Sequence, residues 1–401
     1  MRFALCTVLV WSSVAAAADV KYGVSARTEL RGRTPLPGDT GTVLTGDLEL
    51  DPIVDLAVVF HTGALALQYA PVLIWREPQT GGRLLPLQRG RFTAGKKWER
   101  ATLLFSEDAA WGLADIGALR TDDTPNQPPG TVSPVQTLGG VPYVRSATYL
   151  ALDAQPSTRV SFGLSGSYSV SGSTEPVATT ALPLQYGPTG AARLRLIATR
   201  LDAFTTQLGV SQATFVTGQE QLIAALTERW DRPLARQWSF SINVGAALTR
   251  EVVIAMQGIP GTYLEVLPVG GASTTWNEKL AGQPLQLSAS VRVAPFADRF
   301  TGFVYERAEA SLQATWKPEK QWVVTAAGAG ALAVPLGRAE QNGDRLLSAE
   351  AGATWTITPW LLLQGSVRVL WTEQPRLGVL GQVQAAGSVS VTVKEQDSVA
   401  W

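Results

Sequence analysis

The chain has very few of the residues on which disulfides, metal centres and acid–base catalysis depend. Its 401 residues include one cysteine, Cys6, and one histidine, His61. One cysteine cannot form an internal disulfide, and the two residues together are too few for a zinc site. Sequence spacing identifies no serine partner or carboxylate pair for His61, as hydrolytic catalysis would require. We therefore expect no enzymatic activity, no metal and no cofactor.

An excess of one charge and a long apolar run are also absent. The chain contains 33 basic and 33 acidic residues, and charged residues make up 16% of it. This balance argues against nucleic acid as a partner, because polyanion binding needs an excess of lysine and arginine. Beyond Asp19, no run reaches the roughly 18 consecutive apolar residues of a membrane-spanning helix.

The first residues predict a secretory signal peptide. Arg2 supplies a positive charge, residues 3–14 supply an apolar stretch, and residues 16–18 supply a small-residue cleavage site. Cys6 lies inside this segment and would leave with it. We expect residues 1–18 to be the signal peptide and residues 19–401 to be one exported domain.

Alternation of apolar and small polar residues is what the chain has in abundance. Residues 238–249 read W-S-F-S-I-N-V-G-A-A-L-T, which puts large apolar side chains on one face of a strand and small polar ones on the other. The pattern recurs in residues 160–170, 285–293, 307–316, 361–371 and 383–393. It is typical of a transmembrane β-barrel. A soluble β-protein would need a second layer to cover the apolar face.

Two kinds of connection alternate between the predicted strands. Tight turns, most of which combine proline or glycine with tryptophan, are predicted at residues 51–52, 95–98, 155–157, 230–238, 316–322 and 358–360. Longer polar loops are predicted at residues 33–41, 76–82, 114–140, 171–181, 257–261 and 337–344. Short periplasmic turns and longer extracellular loops are the expected polarity of an outer-membrane barrel. The pair Asp122-Asp123 in the longest loop is interpreted as solvated rather than as a calcium site.

The sequence therefore predicts an all-β fold, a closed antiparallel transmembrane β-barrel of about 18 strands with 16 as the fallback, whose ends meet on the periplasmic side. The ambiguous segment is residues 55–77. There, His61-Thr62-Gly63-Ala64 is either a bulge in one long strand or a turn between two short ones. An even strand count favours the bulge.

Two sets of residues are candidates for function. Charged residues on small-polar faces are predicted to line the lumen, because a charge on the lipid face at the bilayer midplane costs about 2–4 kcal/mol. They are Arg193, Arg195, Arg292, Arg307, Glu309, Glu350 and Arg368. They either pair across neighbouring strands and solvate the interior, or form a constriction or binding track of mixed polarity. The tryptophans beside tight turns are predicted to form a girdle at the membrane interface. They are Trp98, Trp230, Trp238, Trp316, Trp322 and Trp360.

Short motifs carry a resemblance to a known group of proteins. With D-L-E-L-D-P at residues 47–52, Q-Y-A-P at residues 68–71 and turns that pair proline with tryptophan, the mature chain resembles outer-membrane β-barrel proteins of myxobacterial type. It looks most like barrels of about 18 strands that partner a periplasmic polysaccharide-export protein and supply the pore for secreted polysaccharide. The resemblance transfers no functional residue. Trp401 is similar to the terminal aromatic residue of this class, but two acidic residues share its face, which favours a last strand ending near Val393.

These features together predict a passive channel in the bacterial outer membrane, surrounded by lipid. The resemblance implies a polysaccharide as cargo and a periplasmic polysaccharide-export protein docked on the short-turn face. Two alternatives stay open: a general diffusion porin for small hydrophilic solutes, and a non-conducting structural or binding barrel closed by residues 114–140. An export pore needs a wide lumen, whereas a structural barrel has a plugged one.

Overall fold

The described part of the chain is built from β-strands. The computed structural model describes residues 19–33, 45–76, 83–114, 141–175, 182–254, 260–297, 304–335, 343–374 and 379–400. Strands β1 to β19 are, in order, Asp19–Arg33, Thr45–Phe60, Gly63–Tyr69, Val72–Arg76, Arg83–Lys97, Ala101–Ala114, Val141–Ala154, Val160–Gly172, Gln185–Ile197, Ala203–Phe215, Glu220–Ala235, Trp238–Ile254, Pro260–Leu280, Gln283–Ala297, Val304–Trp316, Trp322–Pro335, Asp344–Thr358, Leu361–Gln374 and Val379–Ala400. Within these ranges no helix could span a membrane. The predicted signal peptide, residues 1–18, lies outside them.

The strands form one closed, antiparallel barrel, as predicted. Strands that follow one another along the chain pair side by side, and β1 pairs with both β2 and β19. The join between first and last strand runs from Asp19 opposite Ala400 to Arg33 opposite Ala386. Closure pairs the backbone N–H and C=O groups within the wall, which is the condition for a β-structure to cross hydrocarbon.

Strands β3 and β4 are two parts of one crossing, so the described strands make 18 crossings, the predicted number. Both parts lie between β2 and β5. Val54 pairs with Tyr69 of β3, and Leu50 pairs with Leu73 of β4, in one continuous register. The division between β3 and β4 is therefore a local interruption of a single strand.

Two prolines explain this interruption. The register that β3 and β4 share brings Pro52 of β2 opposite Pro71. Neither residue has an N–H to donate, so the ladder between these strands cannot continue through them. On the other side the wall stays joined, because the N–H of Ala70 donates to the carbonyl oxygen of Arg89 at 2.9 Å.

The prediction of a turn at residues 51–52 is wrong, because these residues lie within β2. Asp51 pairs with Arg27 of β1 in an unbroken ladder. The chain turns instead at His61 and Thr62, so the ambiguous segment contains a turn and not a bulge. The number of strand crossings stays even, because the turn predicted at residues 51–52 is absent and the turn at residues 61–62 takes its place.

The two ends of the barrel carry different connections. At the end that we call the turn end, two to five residues connect successive strands, at residues 61–62, 98–100, 155–159, 198–202, 236–237, 281–282, 317–321 and 359–360. At the opposite end, the loop end, four to 26 residues separate them. The structure has turns at or beside the other predicted positions and adds those at residues 198–202 and 281–282. Ala281 and Gly282 have φ angles of 52° and 82°, the positive pair that a two-residue hairpin favours.

Apolar side chains cover the outer face of the barrel. Val266 and Leu312, for example, are 71% and 66% exposed. Soluble monomers rarely expose a contiguous apolar patch of more than a few hundred Å². Among the described residues no second layer covers this surface, so the arrangement fits contact with lipid and not the soluble alternative.

Glu107 on β6 is an exception on the outer face. It lies between Ser106 and Asp108, which face the interior cavity. Its carboxylate accepts hydrogen bonds from the Ser146 hydroxyl at 2.9 Å and from the Thr148 hydroxyl. Both donors belong to β7, so the wall itself supplies part of the solvation that lipid cannot give.

The last strand extends past its predicted end near Val393, to Ala400. It continues because β1 supplies a backbone partner for each residue as far as Asp19. Glu395 lies opposite Val24 and is exposed. Trp401 lies outside the described residues.

Candidate functional site: the barrel lumen

The barrel encloses a cavity of about 1180 Å³. The residues that line it alternate along each strand with those of the outer face, as the two-residue period of a strand requires. Many carry a hydroxyl or an amide group: Ser165, Ser167, Ser169, Thr189, Thr205, Gln207, Ser211, Asn243, Ser273 and Ser290. The lumen is therefore a hydrophilic surface rich in small hydrogen-bonding groups.

Hydroxyl groups of the lumen also bond to one another across neighbouring strands. Three pairs of serines lie directly opposite in the register, with oxygen–oxygen distances of 2.8, 2.7 and 2.9 Å. They are Ser241 with Ser273, Ser290 with Ser311, and Ser366 with Ser388. A hydroxyl can donate once and accept twice, so a paired serine still has capacity for water or a solute.

Three of the seven charged residues predicted for the lumen line the cavity: Arg193, Arg195 and Arg292. The guanidinium of Arg193 lies 2.7 Å from the Asp153 carboxylate. Arg195 and Arg292 are exposed, and neither forms an ion pair with another described residue. The first arginine is therefore neutralised within the wall, and the other two are not.

The remaining four predicted residues lie on the lumen face of β15, β17 and β18. The Arg307 guanidinium lies 2.5 Å from the Glu309 carboxylate and 5.1 Å from the centre of the Phe296 ring. Arg307 is buried. Glu350 lies opposite Arg368 in the register. Arg307 and Glu309 thus form a local pair, and any role of the seven residues toward a solute stays a prediction.

Sequence reasoning missed several charged residues of the lumen. Arg145, Arg229, Asp108 and Asp231 also line the cavity. Arg229 lies 2.7 Å from Asp231, and Arg91 lies 2.5 Å from Asp108. Each occupies the polar face of its strand, so the alternation that singled out the predicted set was sufficient to include them.

A second missed feature is a group of buried carboxylates on β1 and β2. Glu29, Asp47, Glu49 and Asp51 are all buried, and each has an interaction partner. Glu29 pairs with Arg27, and its backbone lies opposite that of Glu49. Buried carboxylates are stable only when they are paired or hydrogen-bonded. Three of the four come from the D-L-E-L-D-P motif, so this motif builds part of the lumen wall.

An apolar cluster lies on the lumen face at the loop end of β4 to β7. We define the apolar cluster as the buried residues Val72, Ile74, Leu85, Leu87, Ala110, Val141, Tyr143 and Leu182. Leu182 comes from the connection between β8 and β9, and the other members lie on the lumen face of β4 to β7. Smaller buried groups on the same face join Leu346 with Leu370, and Ala247 with Val269 and Ala294. Packed apolar side chains thus narrow the lumen at the loop end of β4 to β7, whereas the open cavity reaches toward the loop end on β8, β10 and β14, where Ser169, Ser211 and Pro295 line it.

The six tryptophans predicted for a girdle all lie at the turn end, in strand ends or turns. Trp276 and Trp355 belong to the same level, and the rings of Trp322 and Trp355 stack with centres 5.3 Å apart. Trp75, Trp111 and Trp371 lie near the loop end of their strands. Two aromatic bands separated by apolar wall are the usual pattern of a membrane barrel. Contact of these rings with headgroups stays a prediction.

One turn at the turn end is held by a carboxylate. Asp202 accepts hydrogen bonds from the Thr199 hydroxyl at 2.7 Å and from the Trp230 indole N–H at 3.0 Å. These bonds, with a smaller contribution from the positive charge of Arg232, lower the pKa of Asp202 below its usual 3.8. The turn between β9 and β10 is thereby tied to the end of β11.

A closed barrel of 18 crossings with a hydrophilic lumen defines this chain as a porin-like barrel of the outer-membrane type. It is similar to Acinetobacter baumannii OccAB1, with 10% identity and a TM-score of 0.52 over 94% of this chain and 96% of that one. It is also similar to Pseudomonas aeruginosa OpdL, with 10% identity and a TM-score of 0.50 over 95% and 99%. At such identity the likeness is one of fold.

The sequence itself gives the family. Comparison with curated proteins finds no match. The model of the EpsX exopolysaccharide export family matches residues 11–398. The chain therefore belongs to the EpsX exopolysaccharide export family.

Proposed function

We propose that this protein is the outer-membrane pore through which a secreted polysaccharide leaves the cell, together with a periplasmic polysaccharide-export protein docked at the turn end. The observation that carries the proposal is the combination of the family match over residues 11–398 with a closed barrel around a hydrophilic lumen. Barrels of 16 to 18 strands are wide enough for an aqueous channel, whereas barrels of eight fill with side chains.

The lumen wall suits a hydrated polymer. Its serine, threonine and amide groups can exchange hydrogen bonds with sugar hydroxyls, and each such exchange replaces a bond to water at little net gain. The paired serines are already satisfied in part by one another. Such a wall holds a chain weakly at many points and allows it to slide.

The apolar cluster narrows the lumen on one side. Leu85 and Leu87 of the cluster are almost fully buried although they lie on the lumen face. A polymer therefore passes beside this cluster, along the polar wall of β7 to β14 that borders the cavity.

The same packing favours a second candidate, a diffusion porin for small hydrophilic solutes. A lumen that is narrowed on one side admits small molecules more readily than a polymer. Deletion of the gene separates the two functions. An export pore requires that surface polysaccharide is lost and accumulates in the periplasm, while a porin requires normal polysaccharide and slower uptake of small solutes.

Blocking the lumen tests the export pore directly. In the deletion strain, we would express a Ser211→Cys variant, whose thiol lies in the cavity, and label it with a polymer-linked maleimide. A matched Leu208→Cys variant places the thiol on the outer face of the same strand. Export should fall in the labelled lumen variant and persist in the labelled outer-face variant. Normal export from both, with labelling of Ser211→Cys verified, would rule out the lumen as the path.

A further inference from the structure

Three arginines of the lumen lie in one row across the wall. In the strand register, Arg195 of β9 is opposite Thr205, which is opposite Arg229 of β11. The same row continues through Asn243 and Gly271 to Arg292 of β14. We define Arg195, Arg229 and Arg292 as the arginine row. Residues from strands far apart in sequence are thus brought into a single line.

The arginine row rises along the barrel axis. Neighbouring strands lie about 4.8 Å apart, so the backbones of Arg195 and Arg229 are about 10 Å apart and those of Arg229 and Arg292 about 14 Å apart. Strands of a barrel tilt by roughly 35–45°, so a line perpendicular to them rises along the axis. Arg195 lies near the turn end, two residues before the end of β9, and Arg292 lies nine residues into β14.

Two of the three arginines have no ion-pair partner among the described residues. All three line the cavity, and Arg229 is paired with Asp231. Beyond Arg292 the row reaches Glu309, whose carboxylate is paired with Arg307. Arg195 and Arg292 are exposed and form no ion pair with a described residue. Their guanidinium groups therefore face the cavity and are accessible to a ligand.

Arginine is suited to one class of ligand. Its planar guanidinium presents parallel N–H donors that match the two oxygens of a carboxylate or a phosphate. Between the arginines, the Thr205 hydroxyl and the Asn243 amide also line the cavity. They offer uncharged hydrogen-bonding groups to whatever lies between two anionic groups. The row thus alternates sites for anions with sites for hydroxyl groups.

We propose that the arginine row is a binding track for an acidic polysaccharide, one whose sugar units carry carboxylate or phosphate groups. The inference rests on the proposed export function, which it narrows to an anionic cargo. Exposed charge pairs in water are weak and exchange rapidly. Successive anionic groups can therefore pass from one arginine to the next along the rising row, from the turn end toward the middle of the barrel.

Binding to the purified full-length barrel in detergent tests the track without requiring an open channel. The probe is hexagalacturonate, and maltohexaose is a neutral chain of the same length. Isothermal titration should show binding of hexagalacturonate that weakens with added salt, and no comparable binding of maltohexaose. The Arg195→Gln/Arg292→Gln variant should bind hexagalacturonate about tenfold more weakly.

Arg250→Gln is the matched control, because Arg250 alternates with lumen-facing Thr249 and Glu251 and so lies on the outer face. It should bind like the wild type. A double Arg→Lys variant of Arg195 and Arg292 keeps the charge and should lose part of the affinity, since lysine cannot bind a carboxylate with two parallel donors. Equal binding of both sugars, absence of hexagalacturonate binding, or unchanged binding by the double glutamine variant would overturn the track.

The binding experiment and the gene deletion test the binding track and the export function separately. If hexagalacturonate binds through the row but gene deletion leaves surface polysaccharide intact, export is refuted and an anion site remains. If deletion abolishes export but the row does not bind the acidic probe, the export pore stands and the acidic cargo is refuted.

Discussion

Two sides of the lumen have different interiors. Along β7 to β14, the wall borders an open cavity and carries serine, threonine, amide and arginine side chains. At the loop end of β1 to β7, the lumen face carries the buried carboxylates of β1 and β2 and the apolar cluster. The comparison shows that a single barrel wall can combine an open polar surface with a packed one, because neighbouring groups of strands differ in their inward residues.

The largest expected effect comes from Leu85, which is 1% exposed in the apolar cluster. Leu85→Ala should lower the free energy of unfolding by about 2–5 kcal/mol, because it leaves a cavity in packed side chains. Leu104 is the matched control, since it faces the lumen outside the apolar cluster and is 40% exposed. Leu104→Ala should cost less than about 1 kcal/mol. Urea unfolding in lipid vesicles measures both, and equal costs would remove the distinction between the packed and the open parts of the lumen.

Thiol accessibility sharpens the same comparison. Thr372→Cys places a thiol at a position whose native side chain is buried, and Ser211→Cys places one in the open cavity. Both variants carry Cys6→Ser, because Cys6 is the one cysteine of the sequence. A small charged methanethiosulfonate should label the buried site at least about tenfold more slowly. Similar rates would mean that the packing around Thr372 opens freely in solution.

The smallest effect concerns pH at the turn end. The lowered pKa of Asp202 means that its bonds to Thr199 and Trp230 stabilise the turn fully above pH 3.8, and that this contribution is lost as the pH falls through the lowered value. The indole N–H resonance of Trp230 should therefore titrate with a midpoint below 3.8. Asp202→Asn should abolish that titration. A midpoint at or above the usual value would contradict the hydrogen-bonded carboxylate.

Much of the barrel follows from local sequence. In β12 and β15, alternation places large apolar residues outside and small polar ones inside, because one face meets lipid and the other meets water. Pro52 misled the prediction, since Asp-Pro is a strong turn signal. The structure accommodates this proline inside β2 because Pro71 lies opposite, where neither strand needs a donor.

The lumen was less predictable, for two physical reasons. In residues 84–87, L-L-P-L, apolar side chains occupy both faces of β5, so alternation gives no contrast and the apolar cluster leaves no signature in the sequence. The arginine row depends on the register between β9 and β14, which local sequence does not fix. Single residues such as Arg195 and Arg292 could be assigned to the lumen, but their alignment in one row across the strands could not be predicted.

The join between β1 and β19 has a consequence for how the barrel is made. It unites Asp19 with Ala400, almost the whole chain apart, so it is the contact with the greatest loop-closure cost. Until it forms, β1 and β19 each present an unpaired edge that can capture another chain. Of the described strands, β19 is synthesised last, and its pairing with β1 removes both edges. A chain that lacks β19 would keep an unpaired edge, and we expect it to aggregate or be degraded instead of forming a smaller pore.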